Sequence, residues 1–168
     1  FLFLHNKEQL LIKYTLEKAS SDITLRLRPF LAFREIHELT HSNENANRGF
    51  EIVEGGASFR LYDGFPNLNI QINAPSDYIH TPDWYYGVVY QEELRRGFEY
   101  KEDLFNPGFF ELNLKKGQSI VVSVSTSQIN PSSLARTYTL EEKKHQLCSS
   151  FEDCLRHAAR QFIVNNGS

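Results

Sequence analysis

Hydrophobic and polar residues alternate with period two over most of the chain from Leu11 to about Ser127, the pattern of strands with one face buried and one solvated. In the segment 23–33, Ile23, Leu25 and Leu27 fall on one side and Thr24, Arg26 and Arg28 on the other. Further strands are predicted over 50–55, 57–62, 68–73, 85–90, 108–114 and 119–126, with Gly, Pro, Asn and Asp as the punctuation between them. The run 108–114, then Lys115-Lys116-Gly117, then 118–126 reads as a β-hairpin with Gly117 in a left-handed turn position. The stretch from Ser42 to Gly49 reads as a polar loop. Many short strands at even spacing predict a mainly β fold, an antiparallel β-sandwich.

The period changes near Thr139. Thr139 with Glu142, and Ser149 with Glu152, have the spacing of two capping boxes and predict two helical segments. Phe151, Leu155, Ala158 and Phe162 fall on one stripe of the second. The chain therefore divides into a sandwich section, 1–137, and a C-terminal helical segment, 138–168.

A length of 168 residues suits one ordinary domain with one substantial core. A net charge of −3, with basic pairs only at Arg95-Arg96, Lys115-Lys116 and Lys143-Lys144, provides no footprint for nucleic acid. No apolar run is long enough to span a bilayer, so no membrane partner is expected. Cys148 and Cys154 lie six apart on different faces of the expected helix. That disfavours a mutual bridge, and free thiols fit a reducing, cytoplasmic setting.

Candidate chemistry concentrates between Asp83 and Phe110, where nine aromatic residues are interleaved with carboxylates and arginines. Aromatic faces stack on the C–H faces of sugar rings, and carboxylates and guanidinium groups hydrogen-bond hydroxyls. Trp84 and Tyr85, just after Pro82, sit at a strand entrance and are the candidates for exposure and sugar contact. The same aromatics would also suit a sandwich core, with Phe109, Leu112 and Leu114 as candidates for it. Arg34 and Arg96 are expected to pair with carboxylates across the sheet. The run His37 to His41, HELTH, matches the H-E-x-x-H pattern of zinc hydrolases. It follows a strand pattern and lacks a clear third ligand, since Glu51 and Glu54 fall in a predicted strand, so no metal is expected. Glu92, Glu93, Glu99, Glu102 and Asp103 could in principle provide the two carboxylates that glycoside hydrolysis needs, but a charge-rich edge is more simply a solvated one.

In order along the tract, Trp84, Tyr85, Tyr90, Glu93, Arg96, Gly97, Glu102, Asp103, Leu104, Pro107 and Gly108 resemble a segment of the amino-terminal domain of prokaryotic glycogen debranching enzymes of the amylo-α-1,6-glucosidase type. A second tract, Thr24 to Leu39, resembles the same family through its Leu-Arg-Pro-Phe-Leu-Ala-Phe-Arg run followed by His37, and the helix from Cys154 to Val164 resembles the linker into its catalytic barrel. The resemblance implies a section of a super-sandwich, ending before an (α/α)-barrel that carries the catalytic carboxylates. It implies no catalytic residue, metal or cofactor in this section. The partners would be the barrel of the same parent chain and an α-glucan, with Trp84, Tyr85, Arg96, Glu102 and Asp103 as substrate-binding or interdomain residues, Trp84 foremost. A stand-alone carbohydrate-binding module is the alternative, and a zinc hydrolase through HELTH a weaker one.

Overall fold

The computed structural model describes residues 1–4, 7–146 and 150–161. Among the described residues, nine strands form two antiparallel sheets. The larger contains β1 (Leu2–Phe3), β2 (Gln9–Thr15), β9 (Ser119–Ser125), β6 (Leu68–Ile72), β5 (Gly56–Phe59) and β4 (Glu51–Val53), in that spatial order. The smaller has β3 (Ile23–Leu27), β8 (Lys101–Leu114) and β7 (Asp77–Val89). The expected mainly β, antiparallel sandwich with C-terminal helices is what the chain forms.

Alternation places the core where it predicts. Leu25, Leu27, Phe110, Leu112 and Leu114 of the small sheet meet Ala57, Phe59, Ile70, Ile72, Ile120 and Val122 of the large one. Phe109 is the exception among the core candidates. One residue out of phase with Phe110, it lies on the opposite face, beneath the guanidinium groups of Arg26 and Arg28 at 5.2 and 5.3 Å.

The predicted hairpin of β8 with β9 does not form. The two strands lie in different sheets, and β9 pairs with β2 and β6 instead. Gly117 does take a left-handed conformation, φ 80°, in a turn closed by Gln118 N–H to Lys115 C=O at 2.9 Å. The turn passes the chain across the core, with the Gly117 N–H and Gln118 C=O bonded to Leu16. Alternating strands that bury one face look the same whether they pair side by side or face each other across a sandwich.

The outer face of the large sheet is itself covered. Gln71 donates to the carbonyls of Glu54 and Ile129 and accepts from the Ile129 N–H, pinning the segment after β9 against the sheet. Asn130 then caps a 3₁₀ turn, Pro131–Ser133, by accepting the Ser132 N–H at 2.9 Å. That turn runs into α2 (Leu134–Gln146), whose Leu134 and Tyr138 close a second small core with Leu4, Leu11 and Val121. Thr139 is therefore not an N-cap. It lies inside the helix and its hydroxyl donates back to the Ala135 carbonyl. The last helix, α3 (Phe151–Gln161), starts at Ser150, whose Oγ accepts the Asp153 N–H. Ser149, Cys148 and Phe162, on which the second capping box, the thiol pair and part of the apolar stripe were placed, lie outside the described residues.

The two sheets are unequal. Ile52 of β4 shares a face with its cross-strand partners Ala57 and Ile70, yet it is 86% exposed, because the three-stranded sheet does not reach that far. Gly108 controls how the long strands β7 and β8 approach each other. A Cβ there would lie 2.2 Å from the Ile79 carbonyl oxygen, and its φ is +141°. Gly108→Ala is expected to lower stability by about 2 kcal/mol or more, read as a fall in Tm.

Candidate functional site

β7 and β8 extend well beyond their shared core as a two-stranded arm joined by a short helix, α1 (Gln91–Arg96). Sequence alternation marked only the ends of these strands. Register shifts between His80 and Asp83 and between Tyr85 and Val88 break the period and hide the rest. Strand β3 ends at Leu27, and residues 28–41 then run along the flank of β8 without regular structure. Leu31 exchanges hydrogen bonds with Phe105, and the Thr40 carbonyl accepts the Asp103 N–H at 2.8 Å.

Two adjacent carboxylates hold this arrangement. Glu102 is fully buried. Arg34 grips it with two donors, Nε to Oε1 at 2.5 Å and Nη2 to Oε2 at 3.2 Å. The Tyr90 hydroxyl donates to Oε2 at 2.5 Å and the Thr40 N–H to Oε1 at 3.1 Å. Burial alone would raise the Glu102 carboxyl, but the Arg34 and Tyr90 hydrogen bonds, the Thr40 amide and the guanidinium charge outweigh it and lower the group below its ordinary 4.5. The same contacts raise Arg34, chiefly through its bond to Glu102, and burial with the Glu102 bond raises Tyr90. Asp103 accepts the Ser42 N–H at 3.0 Å and the Gly87 N–H at 2.8 Å, which lower its carboxyl. Both carboxylates are thus ionised and fully engaged in tying the 28–42 segment to the arm. Neither is poised as a proton donor.

Trp84 is the main correction to the sequence reading of exposure. It is 5% exposed and packs edge-to-face on Phe105 in the core, with Nε1 lacking a hydrogen-bond acceptor. Neighbouring strand residues point to opposite faces, so Trp84 turns inward and Tyr85 outward. Tyr85 is half exposed and meets Phe30 edge-on at 4.6 Å, beside Arg28. Arg96 lies on α1 and pairs with Glu93 one turn away, on the surface. The five residues therefore do not converge on one cleft. Tyr90 was visible as part of the aromatic tract, but its role beside Glu102 depends on contacts 12 and 68 residues apart, Tyr90–Glu102 and Arg34–Glu102.

HELTH forms no helix. Its Thr40 is bonded to β8 on both sides of its peptide, and His41 Nδ1 lies 3.9 Å from Asp103. Among the described residues no group of three or more His, Cys, Asp or Glu is placed to hold a metal ion. At the arm's end, by contrast, Tyr86 (70%) and Phe98 (63%) stand in solvent with Val89, Leu94 and Tyr100.

Removing Arg34 leaves a buried, uncompensated carboxylate, so Arg34→Ala is expected to cost about 3–5 kcal/mol, seen as a fall in Tm. Because Glu102 titrates lower in the folded chain than unfolded, its contribution is complete above its ordinary value of 4.5 and is lost as pH falls through the folded value. Glu102→Gln should be less stable at neutral pH and lose less stability on acidification than the parent chain, checked by melting between about pH 3 and 7.

Comparison with known families gives one informative result. The family described as glycogen debranching enzyme N terminal matches residues 1–121, covering every strand through β8 and the start of β9. Comparisons with curated proteins and with solved structures give no match. The matched span is most of the chain and contains both the Glu102 anchor and the arm, so the chain belongs to the glycogen debranching enzyme N-terminal family.

Proposed function

We propose that this chain is a non-catalytic β-sandwich section of a glycogen-debranching α-1,6-glucosidase. In this reading it supports the catalytic barrel of the same parent chain and contacts the branched α-glucan, with residues 138–168 leading toward the barrel, in a cytoplasmic enzyme. The observation that carries the reading is the arm. Glu102, Asp103 and the core brace it rigidly, yet it ends in Tyr86, Phe98, Val89, Leu94 and Tyr100, apolar or aromatic side chains left in solvent. Interfaces favour Tyr and other aromatic anchors, and an exposed apolar cluster on a rigid support is suited to a protein partner. The uncovered inner face at Ile52 supports the same reading, since a further sheet of a super-sandwich would bury it. Neither Glu102 nor Asp103 is free for acid–base chemistry, which fits catalysis by the barrel.

Tyr85 with Phe30 and Arg28 offers an aromatic and guanidinium surface that also suits a stand-alone carbohydrate-binding module. A zinc hydrolase gains nothing from the geometry, because His37 and His41 lack the helix their pattern requires.

In the full-length parent, Tyr86→Ser combined with Phe98→Ser is expected to lower debranching activity several-fold and to reduce Tm, while the 168-residue chain with the same changes keeps its β circular dichroism. Unchanged kinetics and melting of the full-length variant would remove the interdomain role. The 168-residue chain alone is expected to release no glucose from branched dextrin; turnover that survives repurification and is lost in Glu93→Gln would show a catalytic section instead.

A further inference from the structure

The 28–41 segment pairs with β8 on one side only. Leu31 and Phe105 exchange both main-chain hydrogen bonds, Leu31 N–H to Phe105 C=O at 2.8 Å and Phe105 N–H to Leu31 C=O at 3.3 Å, in an isolated antiparallel bridge. In such a pair the residues on either side turn their N–H and C=O groups away from the partner strand. Phe30 and Ala32 therefore direct theirs away from β8, and among the described residues none of these four groups has a hydrogen-bond partner. The edge is nevertheless fixed in place. Asn106 holds the Pro29 carbonyl at 2.7 Å on one side of it, and the buried Glu102 holds Arg34 on the other.

This open edge borders a groove. Phe30, Ala32 and Phe33 form one wall and Phe65, Pro66 and Leu68 the other, around a cavity of about 230 Å³. Phe33 meets Phe65 edge-on at 5.9 Å, which joins the two walls. The charge that reaches the groove is already spent: Arg34 bonds Glu102 and the carbonyls of Glu35 and Ile36. Thr126, at the same rim, donates its hydroxyl to Glu8. The volume is below the roughly 300–1,000 Å³ of small-molecule sites and suits a single large apolar side chain.

Edge and cavity require the same ligand. N–H and C=O groups at strand spacing are matched by another extended backbone, and an apolar cup beside them selects one side chain of the added strand. An edge of two residues makes too few hydrogen bonds to hold a free peptide tightly. Covalent connection removes that difficulty by raising the effective concentration of the segment. We propose that the groove takes an extended, uncharged segment of the same parent chain, from outside these 168 residues, as an added strand paired with Phe30 and Ala32, with one leucine- or phenylalanine-sized side chain seated in the cup. This contact is separate from the arm, and it rests on the reading of the chain as one section of a longer enzyme.

The test is hydrogen–deuterium exchange of the full-length parent against the 168-residue chain. The amides of Phe30 and Ala32 are expected to exchange at least about tenfold more slowly in the full-length enzyme. Pro66→Glu, at an exposed position on the far wall, places a carboxylate in the groove. It should return both amides of the full-length enzyme to the exchange of the 168-residue chain, with unchanged melting of the latter, while Lys116→Gln on the distant turn keeps the protection. Equal exchange in the two chains would overturn the proposal, as would protection that survives Pro66→Glu. Protection that appears in the 168-residue chain and grows with its concentration would assign the groove to a second copy and overturn it as well. None of these outcomes touches the role of the arm, which is decided by the kinetics and melting of the arm variant in the full-length enzyme.

Discussion

The buried carboxylate of Glu102 is the interaction on which the rest of the structure depends. A lone carboxylate out of water is too costly to keep, so the chain must bring compensation to it. It does so from three directions: Arg34 from the irregular segment after β3, Tyr90 from the end of β7, and the Thr40 amide from farther along the same segment. Satisfying one group therefore fixes the path of residues 28–41. Asp103 extends the grip to Ser42 and Gly87. The segment containing HELTH is held in place by this pairing and not by a helix.

Once that flank is fixed, the arm follows. Beyond Leu27 strand β3 is gone, and without another neighbour the first half of β8 would present an unpaired edge. The 28–41 segment replaces the missing strand through Leu31 and Thr40, while Asn106, fully buried, bonds the carbonyls of Pro29 and Gly108 where β8 deforms. The arm is thereby stiff enough to present Tyr86 and Phe98 in solvent without collapsing onto the core. In the function proposed above, such a brace lets the section offer a defined surface to the rest of the enzyme.

The large sheet shows a different economy. Its inner face is a conventional hydrophobic layer, but its outer face carries Gln9, Ser58, Asn69, Gln71, Ser123 and Ser125, all buried. Gln71 and Gln9 are satisfied within the chain, Gln9 by Ser123 and Gln71 by the segment leading to α2. Asn69, next to Ser58 on that face, donates its side-chain amide to the Ser125 carbonyl at 3.2 Å. Polar residues that resemble ordinary solvated strand positions in the sequence are thus buried once later segments pass over the sheet.

Period-two alternation by itself determined the fold class, because a sheet that buries one face must repeat every second residue whatever its partners are. It also identified Leu112 and Leu114 as core. The aromatic and acidic tract, with the Leu-Arg-Pro-Phe-Leu-Ala-Phe-Arg run, was enough to point to the family that matches residues 1–121. Only the tertiary structure decided which strands pair, since alternation is identical for β8 and β9 as a hairpin or as opposite walls of a sandwich. It decided that Trp84 faces inward and Tyr85 outward, because the bulges in β7 and β8 set the phase and leave no periodic trace. Helix α2 starts at Leu134 and not at Thr139 because Asn130 and Gln71 anchor the preceding turn, through bonds spanning 58 residues. Glu102 looked like a solvated charge because its neighbours in sequence are charged, and its burial arises from Arg34, 68 residues away, which only the folded chain brings to it.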